Sequence, residues 1–384
     1  MIWALFFILF LYGLLILSLG FGFVKLKKNQ LENKKSITQF SIIIPFRNES
    51  EKLPILLESI SKLRYPKELF EIIFVDDDST DDSVEIINCH LERSREVVDF
   101  DCAQPDIRII KNKRISKSPK KDAITTAIGQ TKFDWIITTD ADCILLENWL
   151  QSFDEFIIKN NPNMIVAPVN YKTKDNFLDS FQLLDFMSMQ GSTIGGFGIQ
   201  FPFMCNGANL CYKKELFKQL NGFDGNNHIA SGDDVFLFEK FLEKDKNGVK
   251  FLKSKDAIVT TFPVNSWTDL IHQRVRWAAK TGNFKSGLVK FIGLLVLLIN
   301  LSIVISFFGW IFQQVSYKIW LFLFASKFII DLFLFLPTIK FYEHNKRFYK
   351  WYLLSSLCYP FFSILVIFKS VFSSYHWKGR SFKK

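Results

Sequence analysis

Asp140-Ala141-Asp142 sets two carboxylates one residue apart, directly after the apolar run Trp135-Ile136-Ile137. A strand that ends this way delivers both acids to the carboxyl edge of an open sheet, where such sheets bind ligands. Carboxylates held that close repel one another unless a cation lies between them. A hard divalent ion with phosphate oxygens on its far side answers the need, which makes Asp140 and Asp142 candidate metal ligands. For a lone Asp-x-Asp the plain alternative is a solvated turn, so the other motifs decide.

Four other stations carry suitable groups. Asp76-Asp77-Asp78-Ser79-Thr80-Asp81-Asp82 follows the apolar run ending at Val75 and packs five carboxylates into seven positions. Asp81 and its neighbours suit the start of the next helix. Asp76 and Asp77 sit at the strand edge, where a base or ribose could be hydrogen-bonded. Asp233-Asp234 follows Ser231-Gly232 and opens an amphipathic stretch through Val235, Phe238 and Leu242. These acids serve either as N-terminal charge stabilisation or as a general base, since a carboxylate beside another acid has its pKa pushed up. Gln273, Arg276 and Trp277 share one face of a helix opened by Ser266, at i, i+3 and i+4. An amide, a guanidinium and an indole together suit a diphosphate and a sugar ring; equally, Trp and Arg suit an interfacial helix. Lys120 and Lys121, in the first turn of a helix beginning Ser118-Pro119, suit a phosphate.

The elements that must position these groups alternate. Ser41–Ile44, Glu71–Val75, Ile107–Ile110, Trp135–Thr138 and Met164–Ala167 are short, β-branched and apolar, which predicts buried parallel strands with helices between most of them. The pattern predicts a doubly wound α/β sheet over about residues 37–285.

The flanks are of another kind. The chain has 384 residues, 43 of them Phe, and the apolar ones are concentrated. Ile2 to Val24 holds no charged residue over the length a bilayer requires; without a preceding basic stretch or a small-x-small site it reads as an uncleaved anchor, residues 1–24. Lys25, Lys27, Lys28, Lys34 and Lys35 follow, a basic tether over 25–36 that by the positive-inside rule puts the next domain in the cytoplasm. Residues 286–384 hold three more apolar runs, 288–312, 319–336 and 351–372. Counting crossings puts the tail outside, although it carries Lys378, Arg380, Lys383 and Lys384; Pro360 leaves the last run either crossing or dipping in and returning. Lys327 and Asp331, four apart, read as an ion pair between packed helices or as a polar path. The net charge of +10 gathers near these segments, which suits anionic headgroups; no basic surface interleaved with aromatics predicts nucleic acid. The six Cys show no metal-type spacing, and Cys205 and Cys211 read as free thiols.

Taken in order, Val75-Asp76-Asp77-Asp78, Asp140-Ala141-Asp142, Gly232-Asp233-Asp234 and Gln273-x-x-Arg276-Trp277 resemble membrane glycosyltransferases of family 2, the group of cellulose, hyaluronan and poly-N-acetylglucosamine synthases and ceramide glucosyltransferase. The resemblance covers about Ser41 to Lys280. It implies a GT-A fold, a nucleotide-sugar donor, most often UDP-linked, and Mg2+ or Mn2+. By it, Asp76 and Asp77 match the residues that hold the nucleoside, Asp140 and Asp142 the metal and diphosphate site, and Asp234 the catalytic base, with Asp233 in place of a usual Glu. Gln273, Arg276 and Trp277 match the motif for the diphosphate and the acceptor end. Two departures stand out: Pro119-Lys120-Lys121-Asp122-Ala123-Ile124-Thr125 keeps the Lys but not the Asn of Gly-Lys-x-x-Ala-Leu-Asn, and fewer membrane segments flank the domain than in polymer synthases. The expectation is an inverting, metal-dependent transfer to a lipid-linked or glycan acceptor at the cytoplasmic face. The alternatives are processive polysaccharide synthesis, a nucleotidyltransferase, and a membrane transporter or scaffold without catalysis.

Overall fold

The computed structural model describes residues 2–96, 105–227, 229, 231–279, 284–372, 375–377 and 380–382. They form two compact units that interleave along the chain: an α/β unit of residues 27–172 and 204–262, and a helical unit of residues 1–26, 173–203 and 263–384. The stretch 37–285, read above as one domain, is thus divided between them.

In the α/β unit, β1 (Phe40–Phe46), β2 (Phe70–Asp76), β3 (Asp106–Lys111), β4 (Trp135–Thr138) and β5 (Met164–Val166) arise from the five runs picked out above. Together with β7 (Leu210–Lys213) and β8 (Val249–Phe251) they make one sheet of order β3-β2-β1-β4-β7-β5-β8. β1 to β4 are mutually parallel, and β7 alone runs antiparallel to its neighbours β4 and β5. β6 (Val169–Tyr171) and β9 (Val259–Thr261) form a separate parallel pair. Ile42 to Ile44, Ile72 to Val75, Ile136 and Ile137 are fully buried, which is why these strands read as unbroken apolar runs. Pro45 in β1 lies beyond the last residue paired with β4, so its missing N–H costs the ladder nothing there.

The α/β unit also holds α2 (Leu53–Ser61), α3 (Ser83–Glu96), α4 (Pro119–Ile128), α5 (Trp149–Asn160), α7 (Lys214–Gln219) and α8 (Asp233–Lys244). The expected tether is held along α5: Asp154 accepts the N–H groups of Ile37 and Thr38, and Glu155 those of Glu32 and Lys34. Ser118 is the N-cap of α4 as expected, but its side chain makes no cap bond. Asp122 does related work, accepting the N–H groups of Ile115 and Ser116.

The helical unit comprises α1 (Ile2–Lys25), α6 (Phe177–Gly198), α9 (Trp267–Ala278), α10 (Gly287–Ile311), α11 (Tyr317–Tyr342) and α12 (Asn345–Phe372), with an antiparallel pair β10 (Tyr375–Trp377) and β11 (Arg380–Phe382). α1, α10, α11 and α12 are each long and apolar enough to cross a membrane. Their outer faces leave Phe7, Phe21, Phe333 and Phe368 exposed, as contact with lipid tails requires. α12 runs unbroken through Pro360, so that residue does not divide the last apolar run. Of the tail's basic residues, Lys378, Lys383 and Lys384 lie outside the described residues. Lys327 and Asp331 form the expected ion pair at 2.5 Å, and Tyr12 of α1 donates to the same carboxylate.

α6 carries no apolar signal of a membrane helix, yet packs on α1 through glycines. A Cβ on Gly198 would stand 1.8 Å from the Gly22 carbonyl oxygen, and one on Gly195 2.3 Å from that of Leu19. Small residues here let two backbones touch.

Candidate active site

Three stations come together at one edge of the sheet. Asp76 is the last residue of β2, in register with Phe46 and Lys111, and Asp140 lies two residues beyond β4. β7 contributes because it is antiparallel: Leu210 pairs with Thr138, so the residues before it, Gly207 to Asn209, arrive at the carboxyl edge of β4. Thr138 Oγ1 donates to the Gly207 carbonyl at 3.1 Å. α8 then presents Asp233 and Asp234, entered through Gly232 at φ +85°, a left-handed turn that favours glycine.

Lys120 binds these parts together. Its Nζ lies 2.6 Å from Asp140 Oδ1 and 3.2 Å from Asp233 Oδ2. Burial alone would pull its pKa down, but Asp140, Asp233 and Asp234 outweigh that and hold it well above the ordinary lysine value. Lys120 is therefore a fixed positive charge, and it offsets the repulsion between Asp140 and the Asp233/Asp234 pair. Asp234 is placed by two backbone groups: its Oδ2 accepts the Gly207 N–H at 3.2 Å and its Oδ1 that of Val235 at 2.8 Å. Asp142 stands 3.9 Å from the Lys52 ammonium.

Lys121, read with Lys120 as a phosphate ligand, does something else. It is buried, and its ammonium donates to the Asn226 and Ile229 carbonyls at 2.7 and 3.0 Å, pinning the loop before α8. Thr125, at the position of the missing Asn, returns its hydroxyl to the Lys121 carbonyl and serves the helix.

In the acidic loop, Asp81 is committed to the fold, accepting from the N–H groups of Ser50 and Ser83. Partial burial acts against its ionised form, but those hydrogen bonds prevail and its pKa falls to about 2. Asp76 accepts from the Ser79 N–H at 2.9 Å. Asp77 is buried and accepts from Asn112 Nδ2 at 2.7 Å and Arg114 at 3.2 Å. Sequence reasoning missed Asn112 and Arg114; both follow β3 within three residues, the one signal available. Gly207 lies against the acids that open α8. A Cβ there would lie 3.0 Å from Asp233 Oδ2, 3.2 Å from Asp234 Cβ and 3.5 Å from Lys120 Nζ.

Asp140 and Asp142 are both partly exposed. Oxygen donors of this kind suit a hard divalent cation that shares its shell with phosphate and water. Among the described residues no group of three or more His, Cys, Asp or Glu could hold a metal ion, so a cation here would complete its shell from substrate. Cys143 is no candidate nucleophile: burial, with Asp142 and Asp140 beside it, pushes its thiol well up. Cys205 and Cys211 form no disulfide, as expected.

Gln273, Arg276 and Trp277 lie on α9 in the helical unit. Ser266 caps that helix by accepting the Asp269 N–H, as expected. The buried arginine of this motif is Arg274, which sequence reasoning passed over.

Residues 41–220 match the family model described as Glycosyl transferase family 2. An undecaprenyl-phosphate 4-deoxy-4-formamido-L-arabinose transferase of Pseudomonas savastanoi is 38% identical over 103 residues, 27% of this chain and 27% of that protein. A beta-monoglucosyldiacylglycerol synthase of Nostoc sp. is 23% identical over 283 residues, 72% of this chain and 56% of its own. The chain spans between about a quarter and just over half of the length of these curated relatives. Among solved structures, a mannosyltransferase of Pyrobaculum calidifontis in complex with GDP-Man and Mn2+ aligns with a TM-score of 0.55 over 96% of each chain at 14% identity, a likeness of fold alone. Residues 41–220 thus resemble glycosyl transferase family 2, the sheet around them has a GT-A-like fold, and four candidate transmembrane helices lie beside that stretch in sequence.

Proposed function

We propose that this protein is a membrane-anchored, inverting glycosyltransferase that moves a sugar from a nucleotide-sugar, UDP-linked in the simplest case, to a lipid-linked or glycan acceptor at the cytoplasmic face. The observation that carries the reading is the convergence of Lys120, Asp140, Asp233 and Asp234 at one sheet edge, with the Asp234 carboxylate aimed by the Gly207 N–H. Asp234 takes the proton from the acceptor hydroxyl as that oxygen attacks the anomeric carbon, on the face opposite the departing diphosphate. Asp233 and Lys120 hold the charge balance around it. Asp76 and Asp77 bind the nucleoside, with Asn112 and Arg114 orienting Asp77. Asp140 and Asp142 would hold Mg2+ or Mn2+, which supplies positive charge for the leaving diphosphate. Gln273, Arg276 and Trp277 serve the diphosphate and the acceptor end. The activities that name two of the relatives, sugar transfer to undecaprenyl phosphate and synthesis of a glucosyl diacylglycerol, favour a lipid acceptor and a single transfer over processive synthesis.

The test is a panel of nucleotide-sugars offered to the full chain in lipid or detergent, reading released nucleoside diphosphate and product length. One nucleotide-sugar should be consumed with the diphosphate released and one sugar added per acceptor. A ladder of products supports the processive alternative; pyrophosphate as the product supports a nucleotidyltransferase. Asp234→Asn should lose ~10²–10⁴ in turnover and retain nucleotide binding. Near-full activity in that variant removes Asp234 as the base.

A further inference from the structure

The helical unit contains a second buried charge pair, and it lies under the Gln273/Arg276/Trp277 face. Asp185, in the middle of α6, is 7% exposed and accepts from Arg274 Nε at 2.5 Å; Arg274 is 5% exposed. The same guanidinium donates through NH1 to Gln273 Oε1 and has its carbon 4.2 Å from the centre of the Trp277 ring. The Tyr359 hydroxyl of α12 lies beside the Asp185 carboxylate. Three helices therefore meet at one carboxylate.

Stability alone does not ask for this arrangement. Desolvating a carboxylate and a guanidinium is costly before pairing returns it, and apolar side chains of similar volume often do as well. What a planar, forked cation adds is geometry. Arg274 stacks on one side chain and hydrogen-bonds another, and both belong to the face assigned to the diphosphate and acceptor. Without Asp185 the guanidinium loses this anchor on α6, and the hold it gives Gln273 and Trp277 is loosened.

We propose that Asp185, acting through Arg274, is the positioning residue that sets the orientation of Gln273 and Trp277 for sugar transfer. This rests on the glycosyltransferase reading above. Asp185→Asn keeps the volume and removes the charge. It should lower kcat by about 10- to 100-fold, the loss that a small misplacement of a binding group brings.

The experiment uses the full chain and compares Asp185→Asn, Arg274→Gln and the double variant. If Asp185 works through Arg274, the double variant loses no more than Arg274→Gln alone; multiplied losses overturn the proposal. A second readout needs no activity: acrylamide quenching of Trp277, obtained by subtracting the Trp277→Phe variant, should rise at least two-fold in Asp185→Asn. Should Asp185→Asn not fold, Asp185→Leu/Arg274→Met replaces the pair with apolar groups and should show the same loss of kcat and the same rise in quenching. A wild-type protein that transfers no sugar sinks the functional reading while the quenching result still judges the positioning. A wild-type protein that transfers sugar, with Asp185→Asn within two-fold in kcat and unchanged in quenching, sinks the positioning alone.

Discussion

Gly207→Ala isolates the geometry of the proposed base with one methyl group. The backbone at Gly207 has no positive φ, so alanine meets no conformational penalty there and the effect is steric. The new Cβ would stand 3.0 Å from Asp233 Oδ2 and 3.2 Å from Asp234 Cβ. Carbon atoms pack best at about 3.5–4.0 Å, so the start of α8 must retreat by roughly half an ångström. That retreat lengthens the 3.2 Å bond from the Gly207 N–H to Asp234 Oδ2 past useful range. Overpacking of this size costs about 1–2 kcal/mol of stability. The catalytic cost is larger in proportion: a displacement of about 1 Å is worth on the order of 10²-fold, so half that displacement predicts about ten-fold in kcat. The assay is nucleoside diphosphate release under saturating donor and acceptor, with a thermal melt of the same sample. A variant that melts like wild type and turns over within two-fold of it would refute the link between Gly207 and Asp234.

Other perturbations test other parts. Gly198→Ala puts a Cβ against the Gly22 carbonyl at 1.8 Å, a backbone clash that no rotamer relieves; it should cost ~3 kcal/mol or more and lower the melting temperature of the full chain in detergent, and an unchanged melt would show that α1 and α6 do not cross there. Asp81→Ala removes a carboxylate whose folded pKa, about 2, lies below its ordinary 3.8. Its contribution, about 1 kcal/mol after solvent screening, is therefore present above pH ~4 and disappears as pH falls from about 4 to about 2. Wild type and variant should differ in chemical denaturation at pH 7 and converge near pH 2; a constant difference would mean the charge is not what stabilises the loop. Chelation of divalent cations should abolish transfer, and Mg2+ or Mn2+ should restore it. Full activity in chelator would leave Asp140 and Asp142 without the metal role.

How much was legible in the chain depended on the range of the physics involved. Local signals were enough for the five buried strands, whose β-branched runs needed no distant partner to be recognised, and for the Ser266 cap of α9. The acids beyond β2 and β4 were readable because a strand's end and a residue's charge are both properties of short segments. The four apolar runs became four long helices for the same reason, since length and hydropathy are local sums.

Everything that depended on approach between distant segments had to wait for the tertiary structure. Lys120 and Lys121 are indistinguishable in sequence; only the packing of α4 sends one to Asp140 and Asp233 and buries the other in the loop before α8. β7 is four residues long, too short for a pattern, and its antiparallel course brings Gly207 to Asp234. α6 looks like part of a soluble domain, yet its glycines meet α1 backbone to backbone and its Asp185 meets Arg274. Residue type and local periodicity determined which groups could do chemistry. Which of them meet was decided by close packing, because a contact of about 3 Å between segments far apart in the chain leaves no trace in either segment alone.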